Sequence, residues 1–279
     1  MITDFHVHTF PEKIAARALQ KLSQSANMKY HLDGTLQALQ DSMQSASVDR
    51  SVLLPVATSP TQYQTINQTA LMINERSAET GILSFGGIHP DNENYREILR
   101  DLAANGIRGI KLHPVFQGVY LDDIRNLRII ACACEYGMTI TVHAGYDISF
   151  PGQDYATPAH ILSMIEQLHP DKLILAHMGA WGCWDDVERD LAGIDAWFDT
   201  SFTLTQVEHL DHHAEDQLSP EQFCRIVRKH GADRIVFGSD SPWGAQADAV
   251  KTLQKSGLSE EEQNLIFSEN ARLLLQESK

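Results

Sequence analysis

Near the start of the chain two histidines stand one residue apart, in Thr3-Asp4-Phe5-His6-Val7-His8-Thr9. Side chains two apart on a strand point to the same face, so a short strand here would hold two imidazoles side by side, the beginning of a metal chelate. On its own such a pair usually means one buried histidine and one in a turn. Its meaning comes from the rest of the chain, where apolar runs stop repeatedly at groups that bind metal or move protons. These ends are Gly87-Ile88-His89-Pro90, Lys111-Leu112-His113-Pro114, Val142-His143-Ala144-Gly145, Ala176-His177-Met178-Gly179 and Gly238-Ser239-Asp240-Ser241-Pro242-Trp243.

Those polar ends need elements to carry them. Apolar runs mark eight strands, at residues 2–8, 51–57, 83–89, 107–113, 139–144, 173–177, 197–201 and 234–239. Most are rich in Val, Ile and Leu, as parallel strands buried on both faces are. Between them the helix starts are chemically marked. Ser59-Pro60 and Thr157-Pro158 set a cap before a proline at the first helical position, Ser219-Pro220-Glu221-Gln222 adds a capping-box glutamine, and Ser259 has Glu262 three residues on. Ile124, Leu127, Ala131 and Cys134 form one helical stripe, and Ile161, Ile165 and Leu168 another, each suited to pack on a sheet. The long connection 11–49 is expected to hold an excursion over the barrel mouth and the first helix. Eight such alternations without a linker close into an α/β, (β/α)8 TIM barrel, one domain over residues 1–279. In that fold every polar strand end lies at the face where barrel active sites sit.

The 279 residues, 43% of them hydrophobic, are ample for that core. A formal charge of −15, from 22 basic and 37 acidic residues, disfavours nucleic acid and anionic membrane as partners, so a small-molecule substrate is expected. No basic-then-apolar leader opens the sequence and no apolar stretch is long enough to span a bilayer. Cys132, Cys134, Cys183 and Cys224 form no C-x-x-C pair, which fits a cytoplasmic enzyme with reduced thiols. If the chain self-associates, a homodimer is the default, since dimers are the commonest oligomers.

With these motifs in place, the sequence resembles the metal-dependent amidohydrolase superfamily over nearly its whole length. Within it the closest branch is that of 2-amino-3-carboxymuconate-6-semialdehyde decarboxylase and related hydrolases. Members with a single metal bind it through the H-x-H of the first strand, a histidine of the fifth and an aspartate of the eighth. The resemblance therefore implies His6, His8, His143 and Asp240 as ligands, and His177 of the sixth strand as the group that helps activate the metal-bound water. Chemically the set is coherent. Three neutral imidazoles and one carboxylate suit a borderline divalent ion, Zn²⁺ above all with Mn²⁺ as the alternative, and leave room for a water whose pKa falls toward about 7. His177 then serves as acid or base, while Asp240 binds through one oxygen and takes the water proton with the other. The implied reaction is hydrolysis of a small amide, lactone or other carbonyl-type bond. The same ligands would also serve a non-hydrolytic decarboxylase.

Lys111 leaves one choice open. Two-metal members of the superfamily bridge their ions with a carboxylated lysine of the fourth strand and place the sixth-strand histidine on the second ion. Lys111 precedes His113 by two residues and lies one pleat deeper if both point inward. That favours an unmodified buried lysine, paired or hydrogen-bonded across the barrel, and a single metal. His89 and His113, each followed by proline, are expected at fixed turns of the mouth, lining the substrate pocket or supporting the ligands. Trp181, Trp184 and Trp243 follow the sixth and eighth strands and could wall an apolar pocket. Asp211, His212 and His213, with His209 nearby, read as surface residues of a polar loop, and Glu260 to Glu262 as the first turn of a helix. His31, His160, His169 and His230 form no group.

Three further readings fit less well. TatD-like metal-dependent deoxyribonucleases share the early H-x-H, a G-I-H-P turn and a late T-D-S-P, but lack Lys111-Leu112-His113 and carry a glutamate ligand in a G-E-I-G-L-D type run absent here. The polymerase-and-histidinol-phosphatase family shares D-x-H-x-H, and its further pattern does not map. A catalytically silent metal-binding barrel has no need of a proton shuttle at His177.

Overall fold

A computed structural model describes residues 1–203, 205, 207–210 and 218–276. Nine strands follow in chain order: β1 Thr3–Val7, β2 Arg50–Leu53, β3 Ile82–Ser84, β4 Gly86–Gly87, β5 Gly109–Leu112, β6 Thr139–Val142, β7 Leu173–Leu175, β8 Trp197–Asp199 and β9 Ile235–Val236. Each pairs in parallel with the next from β1 to β3 and again from β4 to β9. β3 and β4 are two halves of the third predicted run, separated by Phe85, whose N–H donates to Leu53 O at 2.9 Å. The ring is completed where Phe5 N–H donates to Phe237 O at 2.7 Å, Asp240 N–H to His6 O at 2.9 Å and His8 N–H to Ser241 O at 2.6 Å. The fold is a TIM barrel, and its closing seam lies between β1 and the segment after β9.

Every predicted strand is present, and most are shorter than expected. The reason lies at their C-terminal ends, where amides leave the ladder for side-chain acceptors. His89 N–H donates to Asn92 Oδ1 (2.9 Å), His113 N–H to Gln117 Oε1 (3.0 Å), His177 N–H to Asp199 Oδ1 (3.0 Å) and Ser239 N–H to Asp4 Oδ1 (2.9 Å). A buried amide must find a partner somewhere. Finding it in a side chain turns the backbone out of the strand at the mouth of the barrel.

The stretch 11–49 folds as two helices, Glu12–Ala26 and Leu36–Ala46, the second capped by Thr35. Ser219 caps Pro220–His230 by accepting from Gln222 N–H at 3.1 Å, and Ser259 with Glu262 makes a reciprocal capping box. Two local expectations are corrected. Ser59-Pro60 opens a turn in which Gln62 Oε1 accepts from the Thr58 and Ser59 amides, and the helix starts only at Tyr63. Ile124 is exposed, because it is the first residue of its helix after the Asp123 cap, and the buried face instead runs through Leu127, Ile130 and Ala133.

Candidate metal centre

β1 carries His6 and delivers His8 at its end, and Asp240 arrives beside them across the closing seam. His8 Nε2 lies 3.1 Å and His6 Nε2 3.8 Å from Asp240 Oδ1, and one ligating atom from each residue lies within 4.8 Å of the others. The two rings meet edge to face, with centroids 5.1 Å apart and planes at 73°. Gly238 permits the approach: a Cβ there would come 2.9 Å from His6 Cβ and 3.1 Å from Ser201 Cβ. Asp240 itself adopts φ +61°.

The electrostatics of this trio favour a cation. Burial pushes the Asp240 carboxyl up, but the imidazoles of His6, His8 and His177 more than offset it and hold the group well below the usual carboxylate range. Its Oδ1 is nonetheless buried with no hydrogen-bond partner among the described residues, the 3.1 Å approach of His8 Nε2 being an ion-pair contact. Leaving a buried polar atom unsatisfied costs about 1–3 kcal/mol, and more when it is charged, so the donor set fits a divalent ion. Behind it, His6 Nδ1 lies 2.8 Å from Asp199 Oδ2 and 2.9 Å from Ser201 Oγ. Burial, and then the charge of Lys111, bring His6 down to about 4 against the pull of Asp199 and Asp240. A neutral imidazole is the form a metal takes.

His143, at the end of β6, stands apart from this trio. Its Nδ1 is 3.0 Å from His177 Nε2, its Nε2 is 3.1 Å from Tyr146 O, and its ring stacks on His113 at 4.0 Å and 11°. With Asp147 these two form a second trio, Asp147 Oδ2 lying 3.5 Å from His113 Nε2 and 3.7 Å from His143 Nε2. His177, at φ +61°, directs Nδ1 at Ser201 O (3.1 Å) and Ser201 Oγ (3.0 Å). Burial, followed by repulsion from His143, holds its pKa well below that of a free imidazole. Lys111 is buried on β5 with Nζ 3.3 Å from His6 Nε2, and burial lowers its amine to about 8 against Asp199 and Asp240.

The remaining predicted residues are more dispersed. His89 is tied into its own turn, its Nδ1 accepting from Asp91 N–H at 3.1 Å. Trp243 packs edge-on against Tyr30 (6.5 Å), Trp184 donates Nε1–H to His177 O at 3.3 Å, and Trp181 lies 6.3 Å from Phe202. His209 is buried rather than at the surface, because its segment bridges to Met28 and its Nδ1 lies 3.1 Å from Asn27 O. Asp211, His212 and His213 lie outside the described residues.

Four further residues line or back the barrel mouth. Asp199 and Ser201 back His6 and His177, and their signal was available, since Phe198-Asp199-Thr200-Ser201 ends its apolar run in polar groups as the other strands do. Asp4 pins β1 to the end of β9, accepting from Ser239 N–H (2.9 Å), Ser239 Oγ–H (2.5 Å) and Gln246 Nε2–H (2.8 Å). Burial raises its carboxyl to about 6 against those donors. Asp147 comes from a loop and carried no signal.

The amidohydrolase family model matches residues 3–276. Among curated proteins none matches the sequence. Among solved structures the chain is similar to a TIM-barrel protein of Bordetella bronchiseptica at 15% identity, covering 99% of this chain and 98% of that one with a TM-score of 0.74. It is also similar to a structure described as a 2-pyrone-4,6-dicarboxylic acid hydrolase of Pseudomonas putida (18%, 99% and 97%, 0.66). A third is 5-carboxyvanillate decarboxylase of Novosphingobium aromaticivorans with bound manganese (13%, 99% and 97%, 0.69). No helix among the described residues is long and apolar enough to cross a membrane. The structural likenesses establish the barrel, and the match over nearly the whole length settles kinship: the chain belongs to the amidohydrolase family, whose members are metal-dependent hydrolases and decarboxylases.

Proposed function

We propose that the chain hydrolyses a small amide, lactone or related carbonyl-type bond, with one divalent ion, Zn²⁺ before Mn²⁺, held by His6, His8 and Asp240 and with His143 as the fourth ligand that family resemblance implies. The observation that carries this reading is the buried, unpartnered Oδ1 of Asp240 facing two imidazole nitrogens. When bound, the ion polarises a carbonyl oxygen and lowers the pKa of a water toward about 7. The chain supplies the proton handling. His177 is kept neutral, so its Nε2 can take a proton and return it to the leaving group, and the second oxygen of Asp240 can hold one in passing. Phe202, 6.4 Å from the His177 ring, and Trp181 beyond it set apolar rings beside that proton carrier. Continuous strand-helix alternation supports a single domain over 1–279, and four unpaired cysteines support a cytoplasmic enzyme.

A proton count favours a second arrangement. His177 Nδ1 faces the Ser201 carbonyl and His143 Nε2 the Tyr146 carbonyl, so both hydrogens of the neutral pair are committed outward. The nitrogens that face each other at 3.0 Å are then both bare, the separation expected, at about 3 Å, of two ligands on one ion. In this arrangement His143 and His177 would hold a second ion, and Lys111, if carboxylated by carbon dioxide, would be the shared ligand that the two-metal members of the family use. Elemental analysis of protein purified without chelator separates the two. One ion per chain, lost in Asp240→Ala, supports the first arrangement, and two ions, one lost in Lys111→Ala, support the second. No ion after reconstitution with Zn²⁺ overturns both. Turnover of a panel of amides, lactones and unsaturated carboxylic acids tests the reaction, and carbon dioxide release without hydrolysis would assign the decarboxylase alternative.

A further inference from the structure

We infer that Asp199 and Ser201 act as a tautomer lock on two histidines at once, fixing the hydrogen of both His6 and His177 on Nδ1 and leaving both Nε2 atoms bare toward the barrel interior. The inference rests on the preceding reading in so far as His6 Nε2 is taken to meet a metal ion.

The argument is a count of hydrogens. Asp199 is buried, and its Oδ1 accepts from His177 N–H (3.0 Å), Ser201 N–H (3.0 Å) and Ser201 Oγ–H (2.5 Å), while its Oδ2 lies 2.8 Å from His6 Nδ1. An ionised carboxylate only accepts, so His6 Nδ1 must donate. The Ser201 hydroxyl has one hydrogen, and it is given to Asp199. Toward His6 Nδ1 (2.9 Å) and His177 Nδ1 (3.0 Å) that oxygen can therefore only accept. His177 Nδ1 also faces the Ser201 carbonyl at 3.1 Å, another pure acceptor. A neutral imidazole carries one hydrogen, so in both rings Nε2 has none. Partners behind a ligating histidine fix its tautomer and orientation in this way in metal sites generally. The same aspartate also pins the turn that aims His177: residues 177 and 178 have φ +61° and +53°, and their amides donate to Asp199 Oδ1 and to Asp199 O (2.7 Å).

Asp199→Asn tests the lock with little change of shape. The Oδ1 position must still accept the His177 and Ser201 amides, so the new NH₂ group faces His6 Nδ1 and forces that nitrogen to accept. His6 then carries its hydrogen on Nε2. Two-bond ¹H–¹⁵N NMR of histidine-labelled, metal-free protein reads the tautomers directly, with His6→Ala and His177→Asn assigning the signals. The expected result is Nδ1–H for both rings in the native protein and Nε2–H for His6 in Asp199→Asn. Zn²⁺ affinity, from chelator competition, is expected to fall about 10–100-fold while the thermal midpoint of the metal-free protein stays close to native. Native His6 in the Nε2–H form, or native Zn²⁺ affinity in Asp199→Asn, overturns the lock, and the native spectrum decides the matter even if the variant does not fold. His8→Ala separates the two ideas: unchanged Zn²⁺ affinity there refutes the metal reading, whereas the tautomers are judged by NMR alone.

Discussion

His6, His8 and Asp240 on one side of the barrel mouth and His113, His143 and Asp147 on the other have the same composition and the same closeness, each trio offering atoms within 4.8 Å of one another. Their rings are set differently. In the first trio the imidazoles meet at 73°, so lone pairs lying in the ring planes can converge on one point; in the second they stack at 11° and 4.0 Å, so their lone pairs lie in nearly parallel planes. The carboxylates differ as well. Asp240 is buried and presents an oxygen with no hydrogen-bond partner among the described residues, whereas Asp147 is only partly buried, with Oδ1 accepting from Ser149 N–H at 2.8 Å in its own turn and Oδ2 left to face the two imidazoles at 3.5 and 3.7 Å. His6 is also anchored from behind by Asp199. Composition makes a group of residues a candidate ligand set, and orientation from behind decides whether it can grip an ion.

The largest expected effect tests that contrast directly. Asp240→Ala should lose bound metal together with metal-dependent turnover, while Asp147→Ala keeps its full metal complement. Elemental analysis of the two purified variants side by side checks this, and equal losses would erase the distinction between the trios. Next comes His177→Asn, expected to retain metal and lose turnover by about 10²-fold or more, the usual scale for removing a general acid or base. Unchanged turnover would leave the first trio without its proton carrier and the reading without its mechanism.

The smallest effect comes from a histidine outside both trios. His230 stacks on Phe198 at 3.8 Å, accepts from Gly193 N–H, and is lowered by burial, then by Arg234, from 6.5 to about 4. Between those two values the unfolded chain binds a proton that the native state refuses, so this contribution is fully present above pH 6.5 and is lost as pH falls toward 4. The slope is about 1.4 kcal/mol per pH unit and the total roughly 3 kcal/mol. Urea denaturation of metal-saturated protein at neutral pH and at pH 4.5 should show His230→Gln losing less stability than native over that interval. An identical loss would show that His230 contributes nothing to the acid sensitivity.

The fold was legible because parallel strands buried on both faces leave a plain record, runs of Val, Ile and Leu such as Leu173-Ile174-Leu175. The break at Phe85 was not, because which amides stay in a ladder depends on distant acceptors: Asn74 Oδ1 takes Ser84 N–H at 2.6 Å and Asn67 Oδ1 takes Gly87 N–H at 2.8 Å. At the site, the family resemblance implied His6, His8 and Asp240 together, and barrel closure, which sets the first strand beside the segment after the last, is the physical reason they can meet. His143 was harder to place. Its strand could be assigned, but the direction of its ring depends on stacking against His113 and on the loop carbonyl of Tyr146. Asp199 was missed for a related reason, since a carboxylate behind a ligand looks, in sequence, like any other strand terminus.

Asp240 and His177 both hold left-handed backbone at φ +61°, a conformation that costs most residues with a Cβ about 1–2 kcal/mol and that Asp and His adopt more readily than most. Glycine at either position would relieve that strain, but at His177 it would empty a buried ring site and strip its contacts with Ser201, and at Asp240 it would remove the carboxylate that His6 and His8 face, so the site's own contacts hold the backbone in this conformation.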